Sequence, residues 1–178
     1  MGAARLGTIV ALIVLAADLG SKLWMLHGLE LGTAGAIELL PGVDLVLVWN
    51  RGISYGLFEQ DTPAGRWLLV AVTVAATVGL AVWMVRTRSR MTAASLGLVV
   101  GGAVGNGIDR VVYGAVVDFV HLHAGDFSWY VFNVADAAIV FGAAGLVIEA
   151  FARRPNDAAN PSSARSGSPD RESPRDSS

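Results

Sequence analysis

Residues 101–142 read GGAVGNGIDRVVYGAVVDFVHLHAGDFSWYVFNVADAAIVFG, a mostly apolar stretch that carries Asp118 and Asp136. An ionised carboxylate at the centre of a membrane helix costs about 2.5–3.5 kcal/mol on insertion scales, so such acids face a protein or water-lined interior and usually serve a function. Two carboxylates that hold one water between them, one acting as base and the other as acid, provide the chemistry of aspartic peptidases. The stretch therefore predicts a membrane protein with a two-carboxylate site.

The composition of the whole chain also favours a membrane protein. Of its 178 residues, 53% are hydrophobic and only 16% are charged, which is too apolar for an ordinary soluble domain of this size. The net charge of −2 comes without a basic stripe, so nothing indicates nucleic-acid binding. The absence of cysteine excludes disulfides, thiolate catalysis and cysteine-ligated metal.

Four apolar runs are long enough to cross about 30 Å of hydrocarbon, which predicts a mainly α-helical membrane protein. The runs cover residues 6–26, 67–85, 91–108 and 131–148. Four spans return both termini to one side, and the span ends on that side carry Arg5, Arg86, Arg88, Arg90, Arg153 and Arg154. By the positive-inside rule both termini are predicted to be cytoplasmic. The acids Asp18, Asp109, Asp118 and Asp136 then lie near the outer membrane interface.

The segment 28–65 is predicted to form β structure outside the membrane. Residues 37–40 and 43–49 are β-rich runs separated by Pro41-Gly42, a turn signal, and 54–58 can add a third strand. Backbone at membrane depth must satisfy its own hydrogen bonds, so the predicted sheet rests on the bilayer surface. The aromatic side chains of this segment suit contact with interfacial lipid or peptide, or simply pack the sheet: Trp49, Tyr55 and Phe58.

The two ends of the chain differ in character. Residues 155–178 are rich in Ser, Pro, Asp, Asn and Arg, which predicts a disordered cytoplasmic tail after a membrane domain of residues 1–154. Residues 6–17 have some features of a cleaved secretory signal. Asp18 and Lys22 favour a retained helix instead, because residues four apart share a helical face and can pair with each other or with the bundle interior.

Glycines in the third span predict close helix packing. Gly97, Gly101 and Gly105 recur every four residues, the small-residue spacing that lets membrane helices approach each other. No strand, acidic ribose partner or phosphate-binding lysine accompanies them, so a nucleotide-binding loop is not indicated. Close approach would also bring Asn106 and Arg110, again four apart, into the same interior as the aspartates.

The sequence contains few features of other catalytic or functional classes. His121 and His123 lack a third ligand and are predicted to be loop residues, so neither a metal nor another cofactor is expected. No Gly-x-Ser-x-Gly is present for serine chemistry. A proton- or ion-coupled carrier would distribute its acids across the membrane and show an internal repeat, and a non-catalytic adaptor would use the acids only for assembly. Both remain as alternatives to a peptidase.

Three ordered motifs make the chain resemble the signal peptidase II family, the bacterial intramembrane aspartic peptidases that process lipoproteins. They are Gly105-Asn106-Gly107-Ile108-Asp109-Arg110, Val116-Val117-Asp118-Phe119 and Phe132-Asn133-Val134-Ala135-Asp136. Asp18 with Ser21-Lys22, and Asn50 with Gly52, also match family positions, whereas Ile53-Ser54-Tyr55-Gly56 departs from the more usual Ala-Ala-Phe. The resemblance covers about residues 10–150.

The resemblance implies a fold of four transmembrane helices with a small extracytoplasmic β cradle, in the bacterial inner membrane. It implies cleavage of prolipoproteins just before a diacylglyceryl-modified cysteine, with the protein working as a monomer beside membrane lipid. Asp118 and Asp136 would be the catalytic pair and share one proton. Asn133, three residues before Asp136 on the same predicted helical face, would support them together with Asp18, Lys22, Asn50, Gly52, Asn106, Asp109 and Arg110.

Overall fold

The computed structural model describes residues 1–52 and 63–152. The elements in chain order are α1 (Ala3–Leu23), a π-helical turn (Trp24–Gly28), α2 (Leu31–Ala34), β1 (Ile37–Leu40), β2 (Val43–Asn50), α3 (Pro63–Arg86), α4 (Arg90–Val112), β3 (Val116–Ala124), β4 (Phe127–Ser128) and α5 (Val134–Ala152). The predicted strand at 54–58, with Tyr55 and Phe58, and the tail at 155–178 lie outside the described residues.

Within residues 1–52 and 63–152, four helices are long and apolar enough to cross a membrane, as the hydrophobic runs predicted. They are Ala3–Gly28, Ala64–Arg86, Arg90–Val112 and Val134–Ala152. The predicted start of the fourth span at residue 131 was wrong. The backbone of Phe132 instead pairs with that of Val120 through hydrogen bonds of 2.8 and 3.0 Å. These bonds hold the segment against the sheet, so the helix begins only at Val134.

Helix α4 is the centre of the bundle and packs against α1, α3 and α5. Over an 18-residue apolar stretch of each span, 56% of the residues are buried in α4, against 22% in the spans that contain α1 and α5 and 6% in that of α3. The glycines of α4 make this possible, as predicted: Gly97 lies against the backbone of α1 at Gly7, and a Cβ at Gly101 would stand 2.6 Å from the carbonyl oxygen of Ala11. Larger residues would push α1 away from α4.

A four-stranded antiparallel sheet in the order β1-β2-β3-β4 adjoins one end of the bundle. The predicted β1–β2 hairpin is confirmed, and Gly42 supplies the positive φ of 86° in its turn. The prediction that His121 and His123 lie in a loop was wrong, because the β-branched run from Val116 pairs with β2 and continues as strand through both histidines. The sheet therefore extends beyond the predicted segment 28–65.

A small apolar core joins this sheet to the π-helical turn and to α2. Met25, Leu31, Leu45 and Phe119 are buried together, and Phe119 follows Asp118 directly in β3. Phe119 is only 3% exposed. Burial of Phe119 on this core fixes the strand on which Asp118 lies.

Candidate functional site

Asp118 lies in β3 with both carboxylate oxygens bonded by asparagine side chains. Asn133 Nδ2 donates to Oδ1 at 2.7 Å, and Asn50 Nδ2 donates to Oδ2 at 3.0 Å. The register of β2 and β3 puts Asn50 opposite Val116, so its side chain is a diagonal neighbour of Asp118 on the same face of the sheet. The backbone N–H of Gly52 donates to Asn50 Oδ1 at 3.2 Å, which turns the amide nitrogen of Asn50 towards Asp118.

Asp136 lies in the first turn of α5 and is held by a reciprocal cap. Its backbone N–H donates to Asn133 Oδ1 at 2.9 Å, and the backbone N–H of Asn133 donates to Asp136 Oδ2 at 3.3 Å. The prediction that Asn133 shares a helical face with Asp136 was therefore wrong, because Asn133 precedes the helix and caps it. A side chain at the cap and an acid three residues later satisfy two otherwise unpaired backbone donors.

Asn106 of α4 connects this pair to the bundle. Its Nδ2 donates to Asp136 Oδ1 at 2.8 Å, while its Oδ1 accepts from Asn133 Nδ2 at 3.1 Å and from Lys22 Nζ at 3.0 Å. An amide has one oxygen and one nitrogen, so these contacts fix the orientation of Asn106.

Lys22 lies at the centre of a buried charge cluster beside Asn106. Its Nζ is 2.7 Å from Asp18 Oδ2 and 2.7 Å from Asp109 Oδ2. The predicted pair of Asp18 and Lys22 is present, whereas the contact with Asp109 was not predicted. These two acids also accept from backbone N–H groups, Asp18 from Ala135 at 2.9 Å and Asp109 from Val117 at 3.1 Å.

The environment of Asp118 changes its acidity. Burial raises the pKa of the Asp118 carboxyl to about 6, and the negative charge of Asp136 acts in the same direction. The hydrogen bonds from Asn50 and Asn133 and the charge of Lys22 lower the same pKa and offset part of this effect. Such a carboxyl can exchange a proton with water near neutral pH.

Arg110 is the predicted residue with the weakest connection to this network. Its Nη1 donates to the backbone oxygen of Asn106 at 3.3 Å, and its buried Nε has no hydrogen-bond partner among the described residues. The guanidinium is within electrostatic reach of Asp109, Asp118 and Asp136. It therefore has donor capacity left for a substrate group.

Hydrogen bonds and ion pairs join all the predicted site residues into one network. The sequence did not point to the backbone N–H groups of Ala135 and Val117, although each directly precedes a motif aspartate. Within residues 1–52 and 63–152, no group of three or more His, Cys, Asp or Glu could hold a metal ion. His121 and His123 contact Asp44 of β2 instead, at 3.7 and 3.0 Å.

Comparison with known families places this arrangement in context. The family model described as Signal peptidase (SPase) II matches residues 10–152. The lipoprotein signal peptidase of Methylorubrum extorquens (strain PA1) is 58% identical over 155 residues, which are 87% of this chain and 91% of that protein. The lipoprotein signal peptidase of Methylobacterium sp. (strain 4-46) is 58% identical over 144 residues, covering 81% and 87%.

Solved structures share the fold at lower identity. A bacterial membrane enzyme solved by the in meso method at 2.3 Å superimposes with a TM-score of 0.74 at 21% identity, covering 86% of this chain and 92% of that one. A second such structure, at 1.9 Å, gives a TM-score of 0.71 at 22% identity, covering 84% and 94%. At these identities the likeness concerns the fold alone.

Proposed function

The chain belongs to the signal peptidase II family, and from that premise we propose that Asp118 and Asp136 are its two catalytic carboxylates. The protein is a multi-pass bacterial membrane protein and an aspartic endopeptidase that removes signal peptides from prolipoproteins, cutting just before the diacylglyceryl-modified cysteine. The observation that carries the assignment is the position of Asn133, which hydrogen-bonds both aspartates and so holds them beside each other.

The pair can carry out hydrolysis with one proton shared between its members. The ionised carboxylate accepts a proton from a water molecule, whose oxygen attacks the scissile carbonyl carbon, while the protonated carboxyl donates to the carbonyl oxygen. The proton taken from water then passes to the leaving amine as the C–N bond breaks. The proton on the former carbonyl oxygen returns to the second carboxylate as the C=O bond re-forms, which restores the singly protonated pair. With a pKa of about 6, Asp118 can take part in this exchange near neutral pH.

The supporting residues orient this pair. Asn50, held by Gly52, and Asn133 fix the two oxygens of Asp118, and Asn106 fixes one oxygen of Asp136. Arg110, whose Nε has no hydrogen-bond partner among residues 1–52 and 63–152, is assigned to the peptide backbone or to the oxyanion that forms during attack.

The charge pattern supports a proposed orientation in the membrane. Arg86, Arg88 and Arg90 lie at or next to the connection between α3 and α4, which supports a cytoplasmic position for that connection and for both termini. In this proposed orientation Asp118 and Asp136 lie near the outer leaflet, where the lipid of a prolipoprotein would hold the scissile bond. We assign catalysis to residues 1–154 of a monomer, without a metal or other cofactor.

The decisive experiment is cleavage by the purified full-length protein in lipid. A preprolipoprotein carrying the diacylglyceryl group should lose its signal peptide, whereas the same precursor with an unmodified cysteine should remain intact. The lipid-modified precursor should still be cut in the presence of EDTA. If a correctly inserted protein released no signal peptide, the peptidase function would be rejected and a carrier or an adaptor would be favoured.

A further inference from the structure

Two buried carboxylates outside the catalytic pair each bind the backbone directly next to a catalytic aspartate. Asp18 Oδ1 accepts from the N–H of Ala135, the residue before Asp136. Asp109 Oδ2 accepts from the N–H of Val117, the residue before Asp118. Each contact therefore fixes the main chain one residue away from a reacting side chain.

A single ammonium group connects these two contacts. Lys22 Nζ is 2.7 Å from both Asp18 and Asp109, and it donates to Asn106, which in turn bonds Asp136. Lys22 is 2% exposed, Asp18 is 0% exposed and Asp109 is 1% exposed. In so little space a displacement of the ammonium would be passed to both acids.

The surrounding packing leaves the cluster little freedom to rearrange. Gly105 of α4 lies directly against the Asp18 carboxylate, where any Cβ would clash with it. The catalytic aspartates belong to a strand and to a different helix, β3 and α5, whereas Lys22 and its two acids belong to α1 and α4. The cluster therefore ties the two catalytic elements to one rigid helix pair.

We propose that Lys22 is a positioning residue that sets the separation of Asp118 and Asp136 by holding Asp18 and Asp109 against the backbone N–H groups of Ala135 and Val117. This inference rests on the proposed catalytic role of Asp118 and Asp136. A role in stability alone explains the arrangement less well, because buried ion clusters are often no more stabilising than apolar residues of similar volume. Stability alone would not require both acids to bond the chain beside the catalytic residues.

The test compares Lys22→Met, which removes the ammonium group at similar length, with Lys22→Arg, which retains a positive charge. In Lys22→Met we expect kcat per folded molecule to fall about 10²-fold, the loss that a displacement near 1 Å can cause. KM should change less than about threefold, because substrate binding is not the function removed. Lys22→Arg should lose less, since the charge remains while the bulkier group shifts the acids slightly.

The pH profile supplies a second measurement. Among the described residues, charged groups that act on Asp118 include Lys22 from α1, Arg110 from α4 and Asp136 from α5. Removing the positive charge in Lys22→Met raises the pKa of Asp118, so the acidic limb of kcat should move to higher pH. In Lys22→Arg this limb should stay near its wild-type position.

The matched control is Glu149→Gln. Glu149 is also a buried carboxylate, but it accepts from Ser89 and Thr92 at the other end of α4. This variant should keep wild-type kcat and the wild-type acidic limb, whatever its melting temperature. If Lys22→Met unfolds, Asp18→Asn replaces it. Lys22 and Ala135 donate to different oxygens of Asp18, and an amide has an oxygen at only one of these two positions.

Wild-type kcat per folded molecule in Lys22→Met, or in Asp18→Asn where Lys22→Met does not fold, would overturn the proposal, as would a loss no larger than that of Glu149→Gln. Asp118→Asn and Asp136→Asn are assayed in parallel. If they are inactive while the Lys22 variants are normal, only this inference fails. If they are active, the proposed function fails.

Discussion

Asn133 and Asp136 cap each other: the N–H of Asp136 donates to Asn133 Oδ1 at 2.9 Å, and the N–H of Asn133 donates to Asp136 Oδ2 at 3.3 Å. Asp136, one of the two proposed catalytic carboxylates, thus also takes part in the cap at the start of α5. Asn133 also donates to Asp118 through Nδ2, at 2.7 Å. Asn133 therefore makes a capping contact and a contact with the other proposed catalytic carboxylate, and different substitutions can separate the two.

The first prediction separates these two contacts of Asn133. Asn133→Ala removes the cap and the bond to Asp118, so it should lower stability by about 1 kcal/mol and reduce turnover. Asn133→Ser retains a capping oxygen but no donor that reaches Asp118, so stability should recover while turnover stays low. Asn50→Ala should weaken turnover partially with little effect on stability. Melting temperatures and cleavage rates measure both effects, and wild-type rates in all three variants would exclude these asparagines from the site.

The second prediction concerns stability against pH. The folded-state pKa of Asp118, about 6, lies above the ordinary 3.8, so ionisation of this group opposes folding. Its contribution to stability is fully present below pH 3.8 and is lost as the pH rises through about 6. Asp118→Asn removes this pH-dependent loss of stability, which reaches about 3 kcal/mol at most. The substitution itself costs about 1 kcal/mol, because asparagine has one acceptor oxygen fewer than aspartate. Relative to wild type, the variant should therefore gain stability between pH 4 and pH 7.

Melting curves of Asp118→Asn and wild type across this pH range test the prediction. Asp126→Asn is the matched control, because it makes the same substitution at an exposed position in the turn between β3 and β4. A difference in stability between Asp118→Asn and wild type that does not change with pH would contradict the raised pKa of Asp118.

The sequence predicted the parts of this fold that depend on local patterns. Apolar runs near 20 residues have few alternatives to a membrane span, and Pro41-Gly42 marked the hairpin between β1 and β2. β3 was missed because its pairing with β2 connects residues far apart in the chain. The cap at Asn133 was missed because Phe132 and Val134 make the segment look like continuous apolar helix.

The site was predicted only in part, because local patterns identify its side chains but not the contacts between helices. The motif residues identified the side chains, and the four-residue spacing indicated the pair of Asp18 and Lys22. The contact between Lys22 and Asp109 joins α1 to α4 and depends on how the glycines of α4 let these helices approach. Spacing within one helix contains no information about such a contact.

The third prediction concerns orientation in the membrane. A reporter fused after Arg88, between α3 and α4, should be cytoplasmic, and one inserted near Asp61 should be external. Reporters active only in the cytoplasm or only outside it measure this directly, with cleavage by the fusion as the control for correct folding. The opposite pattern of reporter activity in a functional fusion would show that the site does not lie near the outer leaflet.

The fourth prediction concerns the C-terminal residues. Deletion of residues 156–178 should leave cleavage intact, because a segment so rich in Ser, Pro and charge cannot contribute to a packed core. The measurement is the cleavage rate per molecule of inserted protein. Loss of activity in a stably inserted truncation would assign the tail a role in catalysis.

The fifth prediction is that Asp118→Asn and Asp136→Asn each abolish cleavage while the protein still inserts and accumulates. Asparagine keeps the shape of aspartate but cannot exchange a proton, so the loss should exceed the roughly 10²-fold expected for a positioning residue. The double variant should be scarcely slower than either single one, because groups that act as a unit are not additive. Single-turnover cleavage of the lipid-modified precursor measures all three. Substantial activity in either single variant would rule out Asp118 and Asp136 as the catalytic pair. No other described carboxylate hydrogen-bonds Asn133, so none stands in an equivalent position.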